Sequence, residues 1–257
     1  MISLQRTDKV QDKPMPVPVA TRKTKRRELL RIDGRAVEVT TRLNPRARRL
    51  IVKVHPSTGE VTVVAPSRRS LDRALDFAQG EAPWIARQLA RVPLPIVLAP
   101  GAHVPYRGRD HMILKGERGP APVWIENEVI RVSGRDEHAA RRVLDFLKRE
   151  ARIILEGRSR DHASRIGAKV TRVAVRDPAS RWGSCSVSGA ISYSWRLIFA
   201  PDFVLDYVVA HEVAHLREMN HGPRFWRLTR QLSPDIEAPQ AWLRQHGIAL
   251  HRYAAKL

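Results

Sequence analysis

The sequence is poor in cysteine and in long apolar runs. Its single cysteine, Cys185, excludes an intramolecular disulfide, so the 257 residues must fold on a hydrophobic core alone. A scarcity of cysteine is typical of proteins from a reducing compartment. No apolar stretch approaches the about 18 to 20 residues that span a bilayer, and the first 28 residues contain no signal-peptide core. We therefore predict a soluble, cytoplasmic protein with no membrane partner.

Acidic residues are also scarce. There are 26 Asp and Glu against 46 Lys and Arg, which gives a formal net charge of +20. Residues 1–27 contribute +6 and residues 201–257 only +1, so most of the excess lies in residues 28–200. An excess of this size favours a polyanionic partner such as nucleic acid, through counterion release. A well-solvated basic surface without such a partner is the alternative, and the sequence leaves both open.

The chain divides into three regions by the pattern of its residues. Residues 1–27 are rich in Pro, Lys and Arg without apolar periodicity, which predicts a disordered basic arm. Residues 28–133 form a predicted β-rich N-terminal region without an internal repeat, where Ser70 begins one helix that reaches residue 89. Its short β-branched runs, separated by turn signals, predict antiparallel strands at 29–32, 36–41, 50–54 and 61–64. Further strands are predicted at 104–106, 111–114, 123–125 and 129–132.

Residues 134–257 have mainly helical patterns. Apolar residues at mixed spacings of three and four predict a helix from about 136 to 166, with Gly167 placed to end it. A second helix begins at Pro201 and has a buried stripe formed by Val204, Leu205, Val208 and Val209. Between these helices, residues 171–175 and 190–199 predict two strands of a hairpin. The predicted fold class is α+β.

The second helix contains a His-Glu-x-x-His motif, HExxH. His211 and His215 are four residues apart, so a helix presents both imidazoles on one face, which suits two ligands of one metal ion. Glu212 is rotated by about 100° from His211 and can lie beside an open metal position without being a ligand.

His221 is the predicted third ligand. Asn220, Gly222 and Pro223 stop the helix, so the chain can turn back and bring His221 to the metal. Three neutral imidazoles are typical of an open, catalytic zinc site. With ten His and thirteen Glu in the chain, a chance HExxH motif is expected roughly 0.02 times, so coincidence is a poor explanation.

The motifs from Arg181 to Trp226 closely resemble the YgjP-like metallopeptidase family, which is related to SprT-like proteases. They are Ser180-Arg-Trp-Gly-Ser-Cys-Ser, Ile191-Ser-Tyr-Ser-Trp-Arg-Leu, Asp206-Tyr-Val-Val-Ala-His-Glu-Val-Ala-His-Leu and Asn220-His-Gly-Pro-Arg-Phe-Trp. The resemblance implies a zincin-like active site in residues 134–257, with zinc on His211, His215 and His221 and Glu212 as the base. Ser194 and Gly222 depart from the family's usual Asn and Ser. Glu218 stands where metzincins have Gly, so that family is not assigned.

The hairpin before the second helix supplies further candidates. We predict that residues 190–199 form an edge strand that binds the substrate backbone by strand addition. Arg181 and Tyr193 are candidates to polarise the scissile carbonyl. Cys185 is a candidate fourth ligand or redox gate, although a buried small residue is the simpler interpretation. Four aromatic residues either line the cleft or clamp the hairpin on the helix: Trp182, Trp195, Phe225 and Trp226.

The sequence therefore predicts a zinc metallopeptidase acting on a protein or peptide substrate. In this hypothesis zinc acidifies its bound water, and Glu212 removes the proton as the water attacks a peptide carbonyl. One alternative is a nucleic-acid-binding protein with a structural zinc site and no hydrolysis. Another is hydrolysis of an amide that is not a peptide. Glu212 favours an enzyme over a structural site, because a structural site does not need a carboxylate beside an open coordination position.

Overall fold

A computed structural model describes residues 25–56, 58–117, 119–178 and 181–254. The fold contains both helices and sheets, which agrees with the predicted α+β class. Residues 1–24 of the predicted basic arm lie outside the described residues. The last three residues of the arm belong to the first strand, which begins at Lys25. No helix in the described part of the chain has the length and apolar character needed to cross a membrane.

The first sheet has four strands in the order β1-β2-β4-β3. They are β1 (Lys25–Ile32), β2 (Arg35–Leu43), β3 (Ile51–Val54) and β4 (Val61–Ala65). β1 and β2 are antiparallel, as are β3 and β4, but β2 and β4 run parallel. The prediction of an antiparallel arrangement is therefore right within each hairpin and wrong between the two hairpins.

Three short helices cover this sheet where the sequence predicts one helix. They are α1 (Arg68–Asp72), α2 (Ala74–Gly80) and α3 (Ala82–Leu89). Ser67, rather than Ser70, caps the first helix, since its side chain accepts a hydrogen bond from the Ser70 backbone N–H. Pro83 lies in the first turn of α3, where its missing N–H costs nothing, so a new helix begins there.

The second sheet repeats the topology of the first. After β5 (Ile96–Val97), the strands are β6 (His103–Tyr106), β7 (Arg109–Lys115), β8 (Val123–Glu126) and β9 (Val129–Val132), in the order β6-β7-β9-β8. The pairing directions match those of the first sheet. Both first hairpins turn on two residues with positive φ, Asp33-Gly34 and Arg107-Gly108. The fold therefore contains a structural repeat that the sequence does not reveal.

The C-terminal region contains four longer helices and a small sheet. The helices are α4 (Ala139–Arg165), α5 (Asp202–Ala214), α6 (Pro223–Leu232) and α7 (Glu237–His246). α4 ends just before Gly167, whose φ of +61° provides the predicted stop. The sheet has the order β10-β12-β11, with β10 (Arg172–Arg176), β11 (Gly183–Cys185) and β12 (Ala190–Ser194), and β13 (Tyr253–Ala254) pairs with β5.

The chain has two separate hydrophobic cores, and the boundary between them lies between α3 and β5. One core joins the first sheet to α1, α2 and α3, and we call this unit the first module. The other core is continuous from the second sheet through α4 to the small sheet and α5. By packing, the second sheet thus belongs with the C-terminal helices, and the predicted boundary at residue 133 falls inside that unit. The sequence from 28 to 133 suggests one region because strands separated by turns form both sheets.

Candidate metal centre

The helix α5 carries the predicted motif and is held at its N-terminus by two arginines. Its apolar stripe is fully buried, as predicted, at Val204, Leu205, Val208 and Val209. Arg107, in the first turn of the second sheet, donates two hydrogen bonds to the Asp202 carboxylate at 2.9 and 2.6 Å. Arg158 of α4 donates to the same carboxylate at 2.9 Å. Paired guanidinium contacts of this kind fix orientation, so α5 is tied to two neighbouring elements.

The three predicted ligands lie together. A nitrogen of each imidazole of His211, His215 and His221 falls within 4.8 Å of the others, and no other described residues form such a cluster. Nε2 of His211 is 3.1 Å from Nε2 of His221. Two nitrogens bound to one tetrahedral zinc ion at its usual distances are about 3.3 Å apart, so this spacing fits a shared ion.

The chain reaches this arrangement by ending α5 earlier than predicted. The helix stops at Ala214 with His215 as its C-cap, and the turn that follows brings back His221. Nδ1 of His215 lies 3.1 Å from the Glu218 carbonyl oxygen and donates to it, which leaves Nε2 with a free lone pair. Phe225, fully buried on α6, packs against all three rings.

The protonation of the cluster also suits a metal. Burial, and then the charges of His215 and His221, lower the pKa of His211 to about 4. A neutral imidazole is the form that binds a metal ion, whereas an imidazolium has no lone pair to offer. Three neutral nitrogens without a carboxylate among them favour zinc over magnesium or calcium, which prefer oxygen ligands.

Glu212 lies beside the cluster and is almost completely buried, with 6% of its surface exposed. Burial raises the pKa of its carboxyl group to about 7, and the charge of Arg181 opposes this shift. Among the described residues the carboxylate has no hydrogen-bond partner. It is thus a buried acid that is free to exchange a proton with a molecule in the cleft.

Gly183 of β11 sets the position of Glu212. A Cβ atom added at Gly183 would lie 2.5 Å from both Cγ and Oε1 of Glu212, which is closer than real contacts allow. Any larger residue must push the carboxylate aside. The glycine in this three-residue strand therefore makes room for the acid.

If Glu212 is the base that the sequence predicts, Gly183→Ala should lower kcat/KM for peptide cleavage by about 100-fold, since a displacement of about 1 Å has that effect on a catalytic group. Metal content should remain at the wild-type level, because the histidines are not displaced. Gly157→Ala is the matched control, since a Cβ atom there meets nothing within 4 Å. Peptide cleavage assays on both variants check this prediction, and wild-type activity in Gly183→Ala would contradict it.

The predicted edge strand is not at the edge. β12 ends at Ser194, and residues Trp195–Phe199 form a 3-10 helix. β12 pairs with β10 on one side and β11 on the other. β10 and β12 run parallel, so residues 171–175 and 190–199 do not form the predicted hairpin; the antiparallel partner of β12 is β11. Both sides of β12 are occupied, so it cannot add a substrate strand, and the prediction for residues 190–199 is wrong. The edge next to α5 belongs to β11.

The other candidates divide between cleft and core. Arg181 and Trp182 line a cleft of about 360 Å³ beside His211 and Glu212. Tyr193 is fully buried and its hydroxyl lies 2.9 Å from that of Ser159, so it cannot reach a substrate. Trp195 and Phe225 are core residues, and Trp226 packs beside the histidine rings.

Cys185 does not join the metal cluster, so the fourth-ligand hypothesis has no support in the geometry. Burial, and then the charge of Glu212, raises the pKa of its thiol to about 11. The side chain is half-buried on the strand that covers Glu212. A thiol with a raised pKa is a poor nucleophile at neutral pH, which agrees with the interpretation as a small packing residue.

Sequence reasoning missed several residues that line the cleft. Tyr207 lies one helical turn before His211, with the two rings 6.0 Å apart, and its hydroxyl accepts a hydrogen bond of 2.8 Å from Nε2 of Gln240. The sequence could have indicated Tyr207, because a residue four positions before His211 lies on the same face of the helix. Leu243 and Arg244 of α7 complete the opposite wall, and no local sequence pattern connects them to α5.

A family model and one solved structure are similar to this chain. A family model described as "YgjP-like, metallopeptidase domain" matches residues 48–246, which is most of the chain. Among solved structures, the crystal structure of the metallopeptidase zymogen of Pyrococcus abyssi abylysin is 21% identical with a TM-score of 0.32. The match covers 36% of this chain and 92% of that chain. No curated protein matches the sequence.

Proposed function

The chain belongs to the YgjP-like metallopeptidase family, and we propose that it hydrolyses peptide bonds with zinc on His211, His215 and His221 and with Glu212 as general base. The observation that carries this proposal is the meeting of three imidazoles beside one buried carboxylate that is free to take up a proton. The reaction class, metal-dependent cleavage of a peptide substrate, follows from the family. The metal, its ligands and the base are our assignment.

Each assigned residue has a distinct role. Bound zinc would lower the pKa of a water molecule and polarise the scissile carbonyl. Glu212 then accepts the proton that this water loses and returns it to the departing amine. Its pKa near neutrality favours both halves of that task. The Glu218 carbonyl holds His215 in the tautomer that offers Nε2.

Two residues of the cleft are placed to stabilise the developing oxyanion. Arg181 is exposed at the cleft wall and brings a positive charge near Glu212. The Tyr207 hydroxyl already accepts from Gln240, so its own proton is available to a substrate oxygen. Of the two candidates named from the sequence, Arg181 therefore stays in the proposal, and Tyr207 replaces the buried Tyr193.

We expect peptide cleavage by the purified chain to disappear after treatment with a zinc chelator and to return when zinc is added. The physical reason is that Glu212 alone cannot generate a sufficient nucleophile from bulk water at neutral pH. The non-chelating isomer of the same reagent is the control. Undiminished cleavage in the chelated protein would exclude a metal-dependent reaction at this site.

A second candidate function is nucleic-acid binding, and the first module contains a specific feature that favours it. β2 and β4 are parallel, so the segments that follow them emerge side by side at one end of the sheet. These segments carry five exposed arginines without an ion pair to any described residue, and we call them the arginine edge: Arg46, Arg48, Arg49, Arg68 and Arg69. Guanidinium groups bind phosphates well, which favours a nucleic acid.

We expect the chain to bind duplex DNA without sequence preference and with a strong salt dependence. Each phosphate contact adds about 0.9 to the slope of log affinity against log salt, so replacing Arg46, Arg48 and Arg49 with Gln should reduce the slope by about two to three. Fluorescence anisotropy at several salt concentrations measures this.

The control for the arginine edge removes the same charge elsewhere. Arg141, Arg152 and Arg160 are exposed on α4, and their replacement with Gln should leave the slope close to the wild-type value. Equal losses in both triple variants would indicate a diffuse effect of net charge. An absence of DNA binding at low salt would make the basic excess a solvated surface.

A further inference from the structure

The active-site cleft continues past Trp182 into a second, smaller pocket. The cleft beside Glu212 and this pocket of about 160 Å³ share three lining residues, Arg181, Trp182 and Leu243. Beyond them the pocket is lined by residues that follow α7 and by Pro56 of the first module. The two cavities therefore lie next to each other, and we call them together the groove; the first module supplies the outer end of the groove.

The wall contributed by the first module is a supported turn. It follows β3, and the His55 and Gly59 backbone N–H groups close it with hydrogen bonds of 2.9 Å to the carbonyls of Glu60 and His55. Gly59 packs against the end of α3, since a Cβ atom added at Gly59 would lie 3.2 Å from the Leu89 side chain. The turn that carries Pro56 is therefore held in place by these hydrogen bonds and by packing against α3.

The pocket itself is mainly apolar. Its walls are the rings of Trp182 and Pro56 with the side chains of Leu243 and Ile248, and Ile248 is 49% exposed. Gly247 lets the Trp182 indole approach, since a Cβ atom there would lie 3.0 Å from the ring. An apolar surface left open beside a catalytic cleft is suited to an apolar side chain.

The back of the pocket adds no charge at neutral pH. His251 lies behind Trp182 with ring centroids 5.6 Å apart, and burial, followed by the charge of Arg196, lowers the pKa of His251 to about 4. Its imidazole is therefore neutral under physiological conditions. Arg181 is the charged residue among those that line the pocket, and it stands at the boundary with the cleft.

We propose that this pocket is a substrate subsite, in which Pro56 of the first module and Trp182, Leu243 and Ile248 bind an apolar side chain of an extended peptide. The occupant is a part of the same peptide that lies across Glu212, because the pocket adjoins the cleft and shares three lining residues with it. The proposal rests on the peptidase function proposed above. It assigns the first module a part in selecting the substrate in addition to its part in the fold.

The test uses peptides that share one scissile bond and differ in length. A cleavable sequence is first selected from a peptide mixture and shortened to about four residues, and longer versions then carry Leu, Ser or Lys at each outer position. The wild type should cleave the long peptide with Leu at one outer position about ten times better than the Ser version. Ile248→Trp fills the pocket and should reduce this preference to about twofold or less.

Pro56→Glu tests the contribution of the first module. A carboxylate on that wall should change the preference at the same outer position from Leu to Lys, because an ammonium group would then meet an opposite charge. Thr58→Glu is the matched control, since it adds the same charge to the same turn outside the pocket lining. Ile153→Trp, at a 60% exposed position on α4, is the control for the added ring.

The outcomes separate this proposal from the one on which it rests. Cleavage of the short peptide with no preference at any outer position, or an unchanged preference in both Ile248→Trp and Pro56→Glu, would overturn the subsite and leave the peptidase intact. No cleavage of any peptide by the zinc-loaded wild type would overturn the proposed function itself. Loss of the Leu preference in both variants, with both controls like the wild type, supports the subsite.

Discussion

Replacing Glu212 with Gln should lower kcat for peptide cleavage by about three orders of magnitude while zinc remains bound. The amide is nearly the same size as the acid, so the cleft keeps its shape, but it cannot accept a proton from water. No described residue hydrogen-bonds the carboxylate, so its replacement breaks no such bond. Stability should therefore stay the same or rise slightly, since burial disfavours the charged form. Metal analysis, thermal unfolding and a cleavage assay on one preparation check these expectations.

Glu218→Gln is the matched control for this substitution. Glu218 lies in the turn after α5, six residues beyond Glu212, and only its backbone carbonyl contacts a predicted ligand. We expect this variant to keep wild-type activity. Wild-type activity in Glu212→Gln as well would contradict the assigned role.

His211→Ala and His215→Ala should each weaken zinc binding by more than about 100-fold. This loss exceeds the usual effect of replacing a residue that only hydrogen-bonds a metal ligand. Removal of either leaves two imidazoles, and two ligands do not complete an open catalytic site. Peptide cleavage should fall with the metal content. Zinc measured after dialysis against a weak chelator gives the result directly.

His246→Ala is the control, because His246 is exposed at the end of α7 and packs on Trp242 away from the cluster. We expect this variant to keep its zinc. Full zinc occupancy in both His211→Ala and His215→Ala would contradict the ligand assignment. A partial loss in only one of them would point to an unequal contribution of the two rings.

The sequence predicts α5 and its HExxH motif well because the signals are local. The spacing of His211 and His215 is a property of any helix, and the buried stripe of α5 follows from the same period. His221 could also be found, since Asn220 and Gly222 mark a reversal of the chain. The helix nevertheless ends at Ala214, several residues earlier than those signals indicate. The proposed ligand set is unaffected by this error, because the turn that replaces the last part of the helix still brings His221 to the cluster.

The sequence predicts the small sheet beside α5 less well, because its structure depends on strand order. β11 has only three residues, Gly-Ser-Cys, and none of them favours a strand, so the pairing with β12 alone defines it. Without β11, residues 190–199 look like the edge of the sheet, and Tyr193 looks available to a substrate. In the fold, Tyr193 is fully buried and contacts Ser159. Which face of a strand is buried is set by its register, which a single sequence does not reveal.

The division of the N-terminal region is a second example. Both sheets consist of strands separated by turn signals, so the sequence suggests one β-rich region up to residue 133. The cores show that Val104, Ile113 and Ile130 pack with the C-terminal helices, while Val39 and Val63 pack in the first module. Long-range packing of this kind leaves no mark on local periodicity.

The central claim is that one zinc ion and Glu212 together carry out peptide hydrolysis. The most direct test adds zinc stepwise to metal-free wild type and metal-free Glu212→Gln and follows bound zinc and peptide cleavage in the same samples. We predict that both proteins bind one zinc per chain, that wild-type activity rises in proportion to bound zinc, and that the variant remains at least about 1,000-fold less active. Cleavage that does not depend on bound zinc, or equal activity of the two zinc-loaded proteins, would contradict this account.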